Sequence, residues 1–247
     1  MFDQTNKGKW WDFGWKLIEG CNPVSTACEN CWSLSMEKRF RKENSIVIHE
    51  ERLKRPFKRK KPASYAIWND LFHEKVSYQF IHETLKVIQS NKQHTFLILT
   101  KRIDNALKFF NHLDEVMRNG VCDIDFMPIE NLWLGVTAEN QEMADKRIPV
   151  LLQIPSKVHF ISCEPLLSNI NLLQSCQIKF INWLKDNKTQ YGLDWVICGP
   201  ETGYKSRPTL KKWIESLYLQ CKDANVPFFD KKNILNKNIK QLPNVIQ

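Results

Sequence analysis

The chain has 247 residues, of which 43% are hydrophobic, a length and composition that allow a sizeable buried core and exclude a disordered polymer. Its formal net charge of +9 favours an anionic partner such as a nucleic acid or nucleotide. No run approaches the ~18 apolar residues of a membrane span, and residues 1–14 carry no apolar signal-peptide core, so a reducing cytoplasm is the expected setting.

In chain order, residues 14–18 read as a first strand that leads into a loop with three cysteines. Residues 29–42 read as a helix, rich in Glu, Lys, Arg, Leu and Met. Residues 64–68 give a second strand and 76–90 a helix with apolar residues at helical spacing. Strands follow at 95–99, 132–136, 158–161 and 195–198, with helices near 103–118, 140–152 and 209–223, and residues 226–229 are a candidate seventh strand. The stretch 165–193 lacks this alternation and reads as an insertion with a short helix around 177–185. No repeat or linker divides the chain, which is taken as one unit over 1–247.

Alternating strands and helices imply a parallel α/β sheet. Near-continuous apolar strands agree, because parallel strands are buried on both faces. Periodicity leaves an open doubly wound sheet and a barrel both standing. In either, ligands bind at the C-terminal ends of the strands. Polar residues recur there: Asn69 and Asp70, then His73 and Glu74; Lys101 and Arg102; Thr137 and Glu139; Ser162 and Glu164; and Glu201. Any one of them reads as a loop or cap residue. Together they describe a rim suited to a polar, partly anionic ligand. Asn69, Asp70, His73, Thr137, Glu139, Ser162 and Glu164 are the candidate cofactor-binding residues, and Lys101 and Glu201 the candidate catalytic pair.

Cys21, Cys28 and Cys31 have the spacing C-x6-C-x2-C. In a reducing compartment, clustered cysteines point to metal ligation before disulfides. Three thiolates leave one coordination position open, whereas a structural zinc site takes four ligands. An iron–sulfur cluster is the first reading, zinc with a distant fourth ligand the second, and a metal-free redox pair the third. An open iron of a [4Fe–4S] cluster binds the amino and carboxylate groups of S-adenosylmethionine, whose radical chemistry the protein then positions and shields. The remaining cysteines are scattered, and Cys163 and Cys198 lie in apolar runs as core residues.

Lys54, Arg55, Lys58, Arg59, Lys60 and Lys61 place six cations in eight residues. Such a segment neutralises phosphates, and Phe57 within it offers a stacking face. A solvated loop is the competing reading. Arg102 is the further nucleic-acid-binding candidate. Trp10, Trp11 and Trp15 either line the cleft or pack in the core.

Several segments in order carry a resemblance: Gly20-Cys21 through Cys31, 70–74, 94–102, 133–136, 144–149, 162–167, and 194–197 leading to Glu201-Thr202-Gly203. Over about residues 15–230 the chain resembles the phage and bacterial three-cysteine-motif proteins of unknown function, which in turn resemble radical S-adenosylmethionine enzymes. The sequence departs from that pattern at Cys198-Gly199-Pro200, at Trp32 and at Asp230-Lys231-Lys232. The resemblance implies a partial (β/α)6-type TIM-like barrel and a [4Fe–4S] cluster with S-adenosylmethionine, which needs a reducing electron donor, but it supplies no reaction. The open-site cluster, the polar rim and the basic charge together give the expected function, modification or repair of a nucleic acid base or nucleotide. Two non-catalytic alternatives stand beside it: a zinc-stabilised nucleic-acid-binding module, and a phage–host interaction protein that acts through a partner protein.

Overall fold

The computed structural model describes residues 9–39, 45–121, 123–124, 127–172, 192–203 and 205–243. Seven strands form one parallel sheet: β1 (Phe13–Trp15), β4 (Ser64–Ile67), β5 (Thr95–Thr100), β6 (Leu132–Thr137), β7 (Val158–Cys163), β8 (Trp195–Cys198) and β9 (Phe228–Asp230). They lie side by side in chain order, so each crossover connects immediate neighbours. The sheet curls into a half-barrel flanked by helices. The seventh strand pairs with β8 in parallel register, Val196 opposite Phe228. A small antiparallel pair, β2 (Ile18–Glu19) with β3 (Val47–Ile48), stands apart from the main sheet. Its two-residue strands are too short to leave a periodic trace in the sequence.

The helices are α1 (Trp32–Arg39), α2 (Tyr78–Ser90), α3 (Ile103–Arg118), α4 (Gln141–Leu151) and α5 (Lys211–Asp223). Their starts follow from local chemistry. The Ser77 hydroxyl accepts from the Phe80 N–H and the Asn140 side chain from the Met143 N–H, each satisfying a helix-end donor. The helix expected near 177–185 lies outside the described residues, as do residues 40–42 of the helix expected over 29–42.

Side chains alternate across the strands. Leu132, Leu134, Val136, Ile161, Cys163, Val196 and Phe228 point to the main core beneath the helices. Leu97, Trp133, Phe160, Trp195, Ile197 and Phe229 point to the concave side, where Trp10 completes a second cluster. Trp10 meets Phe160 and Trp195 edge-on, with ring centroids 5.6 and 5.9 Å apart. Aromatic rings therefore fill the interior around the starts and middles of the strands, and space is left toward their C-terminal ends.

Gly135 in β6 is part of this plug. A Cβ there would meet the fully buried Phe160 ring at 2.5 Å. Gly135→Ala is expected to destabilise the fold by about 1–3 kcal/mol through overpacking, read as a lowered midpoint in urea unfolding with an unchanged slope.

Candidate functional site

The cysteine loop begins where the backbone turns at Gly20, whose φ of +84° favours glycine and whose missing side chain leaves room for the Ser45 carbonyl. A single 3-10 turn spans Thr26–Cys28, and the Cys31 N–H donates to the Cys28 carbonyl at 3.2 Å. That turn brings Cys28 and Cys31 round to the cavity that Cys21 also lines. The cavity has a volume of about 260 Å³ and lies at the C-terminal mouth of the half-barrel. Cys28 is buried, while Cys21 and Cys31 are half-buried. Among the described residues no three His, Cys, Asp or Glu side chains already stand in a metal-ligating arrangement.

Two arginines hold the loop. Arg102, just beyond β5, is 6% exposed. Its Nε donates to both oxygens of Glu74 (3.0 and 3.1 Å) and its Nη1 to Asp70 Oδ2 (3.3 Å). Its outer nitrogens reach the loop, Nη1 donating to Cys21 Sγ at 3.7 Å and Nη2 to the Asn22 carbonyl at 3.0 Å. Burial pushes the Cys21 thiol up, and the Arg102 guanidinium opposes that rise. Asp70 also accepts from the Thr100 hydroxyl (2.6 Å) and from the Phe72 and Lys101 N–H groups, 3.1 Å each. Arg102, the further nucleic-acid-binding candidate, is thus buried, with its guanidinium in these contacts.

Arg207 grips the other end of the loop. It donates to Glu201 from its backbone N–H (2.7 Å), Nε (3.0 Å) and Nη2 (2.5 Å). It also reaches the Thr26 carbonyl at 2.8 Å and Glu29 at 3.0 Å. Asn30 adds a bond to Glu201 at 2.9 Å. The Arg207 hydrogen bonds hold the Glu201 carboxyl down to about 2. Glu201 is therefore held as a carboxylate near neutral pH.

Of the expected rim residues, Asn69, Asp70, Lys101, Thr137, Ser162, Glu164 and Glu201 line the cavity with the three cysteines. Asn69 braces α1, its Oδ1 accepting from the Ser33 hydroxyl at 3.0 Å. His73 and Glu139 are not on the wall. Both side chains are buried behind it, His73 accepting from the Lys75 N–H at 3.1 Å and Glu139 accepting from Arg147 at 2.8 Å. Burial, helped by Arg102, lowers the His73 pKa. Of the basic segment, Lys54, Arg55, Lys58, Lys60 and Lys61 are exposed, while Arg59 is half-buried over the Phe13 ring. Trp15 is wholly buried in the helix-side core, and its indole N–H donates to the Arg52 carbonyl at 2.8 Å. Trp10 and Trp11 do line the cavity, and the buried Trp10 Nε1–H has no partner among the described residues.

Sequence reasoning missed Arg207, Asn30, Trp68 and Lys231. Lys231 was accessible from strand alternation, because it follows the inward-facing Phe229 by two residues, and it ion-pairs with Glu164. Arg207 sits in an irregular loop whose contacts leave no sequence period. Lys101 forms no ion pair among the described residues, so its ammonium is the uncommitted cation of the cavity.

The clamps predict two outcomes. Arg102→Ala leaves the buried Asp70 carboxylate without its cation, for a loss of about 3 kcal/mol in chemical unfolding, and Arg102→Lys recovers only part of it because one ammonium cannot reach the same acceptors. Glu201 has a depressed carboxyl, so its stabilisation is full above the ordinary value of 4.5 and is lost as pH falls toward about 2. The melting-temperature gap between the unsubstituted protein and Glu201→Gln should be constant from pH 7 to 5 and shrink below 4.5.

The described residues include no helix long and apolar enough to cross a membrane. No curated protein and no solved structure matches the sequence. A family profile described as "Protein of unknown function (DUF5131)" matches residues 5–239. The chain, cysteine loop and both clamps included, belongs to that family.

Proposed function

We propose that the three-cysteine loop holds a [4Fe–4S] cluster and that the protein is a cytoplasmic radical S-adenosylmethionine enzyme acting on a nucleic acid base or nucleotide. The observation that carries this reading is the donor set of the cavity. Among the described residues three thiols line it, no histidine does, and the three carboxylates there are each committed to a cation: Asp70 to Arg102, Glu164 to Lys231 and Glu201 to Arg207. A structural zinc site would lack its fourth protein ligand among the described residues. Three thiols are the ligand number of a cluster with one iron left open.

A bound cluster supplies one-electron reduction of the S-adenosylmethionine sulfonium. The chain's own residues do the rest. Lys101 is the group suited to hold a carboxylate or phosphate of the ligand, and it is the catalytic candidate. Glu201 acts as a positioning residue through Arg207, since it stays ionised. Asn69, Asp70, Thr137, Ser162 and Glu164 form the polar wall for the cofactor, and His73 and Glu139 support that wall from behind. Trp10, Leu97 and Leu99 make an apolar floor that excludes water. The half-barrel is read as a partial (β/α)6-type TIM-like barrel extended by β9, one unit over the chain, with the cysteine loop at the mouth where such folds place their chemistry. A reducing electron donor is the partner this reaction requires.

Purification without oxygen, followed by iron, sulfide and zinc analysis, tests the reading. About four irons per chain are expected, with an electron paramagnetic resonance spectrum of the reduced protein that changes on adding S-adenosylmethionine. Replacing Cys21, Cys28 and Cys31 by alanine should remove the iron. Stoichiometric zinc without iron, even after anaerobic reconstitution, would overturn it in favour of a zinc-stabilised nucleic-acid-binding or interaction module.

A further inference from the structure

A strip of aromatic and cationic side chains, linked through the backbone of β1, joins the basic segment to the mouth of the cavity. At its outer end Lys54, Arg55, Lys58, Lys60 and Lys61 are exposed beside Phe57, itself 54% exposed. The segment is fixed to the edge of the sheet, because Arg55 Nη1 donates to the Gly14 carbonyl of β1 at 3.0 Å. Gly14 is also where the Trp68 ring rests, 2.5 Å from the position a Cβ would take. Lys16 is exposed and stands over that ring, its Nζ 4.7 Å from the centroid. Trp32 meets Trp68 edge-on at 5.2 Å and is 50% exposed. Trp32 and Trp68 both line the cavity that holds the cysteines.

We infer that this strip is a track for single-stranded nucleic acid, which delivers one base over Trp32 and Trp68 into the cavity. The inference rests on the nucleic-acid reading of the proposed function and assigns that substrate its form and route. The physical case has three parts. Half-exposed indoles at a cavity mouth offer π-faces, and every base has a complementary face once it is unstacked. Lys16 already covers Trp68, so the exposed ring of Trp32 is the platform that remains. Cations stand beside rings at both ends of the strip, five around Phe57 and Lys16 over Trp68, as a backbone with a phosphate beside each base demands. A duplex satisfies the cations but hides its base faces, so the aromatic part of the strip selects the single strand. The strip carries too few apolar side chains for its length to act as a membrane-inserting face.

The test is fluorescence anisotropy of the full chain with a labelled oligo-dT of about 15 nucleotides, beside a hairpin duplex of the same length and a sedimentation assay with phosphatidylserine vesicles. The single strand should bind more tightly than the duplex. Trp32→Ala should raise its Kd by about fivefold to a hundredfold, the range seen for losing one stacked base, while Trp32→Phe, which keeps a π-face, should stay near the starting value. Lys16→Ala with Lys58→Ala should flatten the dependence of log K on log salt by about 1.4, two single-strand phosphate contacts. Equal affinity for the duplex with no effect of Trp32→Ala, or binding to vesicles in place of the strand, would overturn the track. Iron is measured on the same preparations. Iron present without strand binding removes the track and leaves the cluster reading intact, and strand binding without iron does the reverse.

Discussion

Two guanidinium groups decide the shape of this molecule's functional end. A half-barrel has no strand pairing to close its mouth, and the cysteine loop that spans it has little apolar surface of its own to anchor it. Ordering each loop residue costs about 1–2 kcal/mol of backbone entropy. Arg102 beyond β5 holds Cys21 and Asn22, and Arg207 beyond β8 holds Thr26 and Glu29. β6 and β7 lie between those two strands, so the loop is strapped across the mouth rather than hung from one side. Charge-assisted hydrogen bonds of this kind are the stronger class, and each arginine is itself fixed by a carboxylate on the sheet side. The position of the three thiols is thus set by Asp70, Glu74 and Glu201 as much as by the loop's own turns.

The strap works because the sheet beneath it is divided along its length. Inward positions near the strand starts and middles carry Trp133, Phe160, Trp195 and Phe229, with Trp10 wedged among them. Two residues farther along the same inward rows stand Ser162 and Lys231, and two beyond Ser162 stands Glu164. One alternation along one set of strands therefore gives both the rigid aromatic plug and the polar wall above it. Gly135 shows how tightly the plug is made, since the Phe160 ring takes the place of its side chain.

The elements were largely legible because each rests on a local signal. Apolar runs marked β4 to β8, and helical spacing marked α2 and α3. Ser77 and Asn140 start α2 and α4 as caps, the ordinary use of such residues. The rim followed from a general property of parallel sheets, which brought Asn69, Lys101, Thr137, Ser162 and Glu164 to one cavity. What stayed hidden was whatever depends on contacts distant in sequence. The contacts of Arg102 with Asp70, Glu74 and Cys21, and of Glu201 with Arg207, join residues far apart in the chain or across an irregular loop, and no local pattern marks them. Glu139 and His73 sit beyond strand ends as expected, but their side chains turn behind the wall, a direction that strand position alone does not fix.

Charge balance in the cavity follows from the same pairings and constrains what it receives. Asp70 and the more exposed Glu74 share Arg102, Glu164 meets Lys231, and Glu201 and the exposed Glu29 share Arg207. Among the described residues the Lys101 ammonium is the cation of the wall without an ion pair, in a space otherwise lined by indoles, leucines, polar groups and these paired charges. Such a site favours a ligand that is mostly flat and apolar with a single anionic group over a polyanion, whose further charges would find every other cation already engaged. The exposed lysines of the basic segment lie outside, where solvent screening weakens each contact but many act together. On the proposed reading, this charge pattern gives an outer surface for a polyanionic backbone and an inner cavity for one heterocycle and one charge.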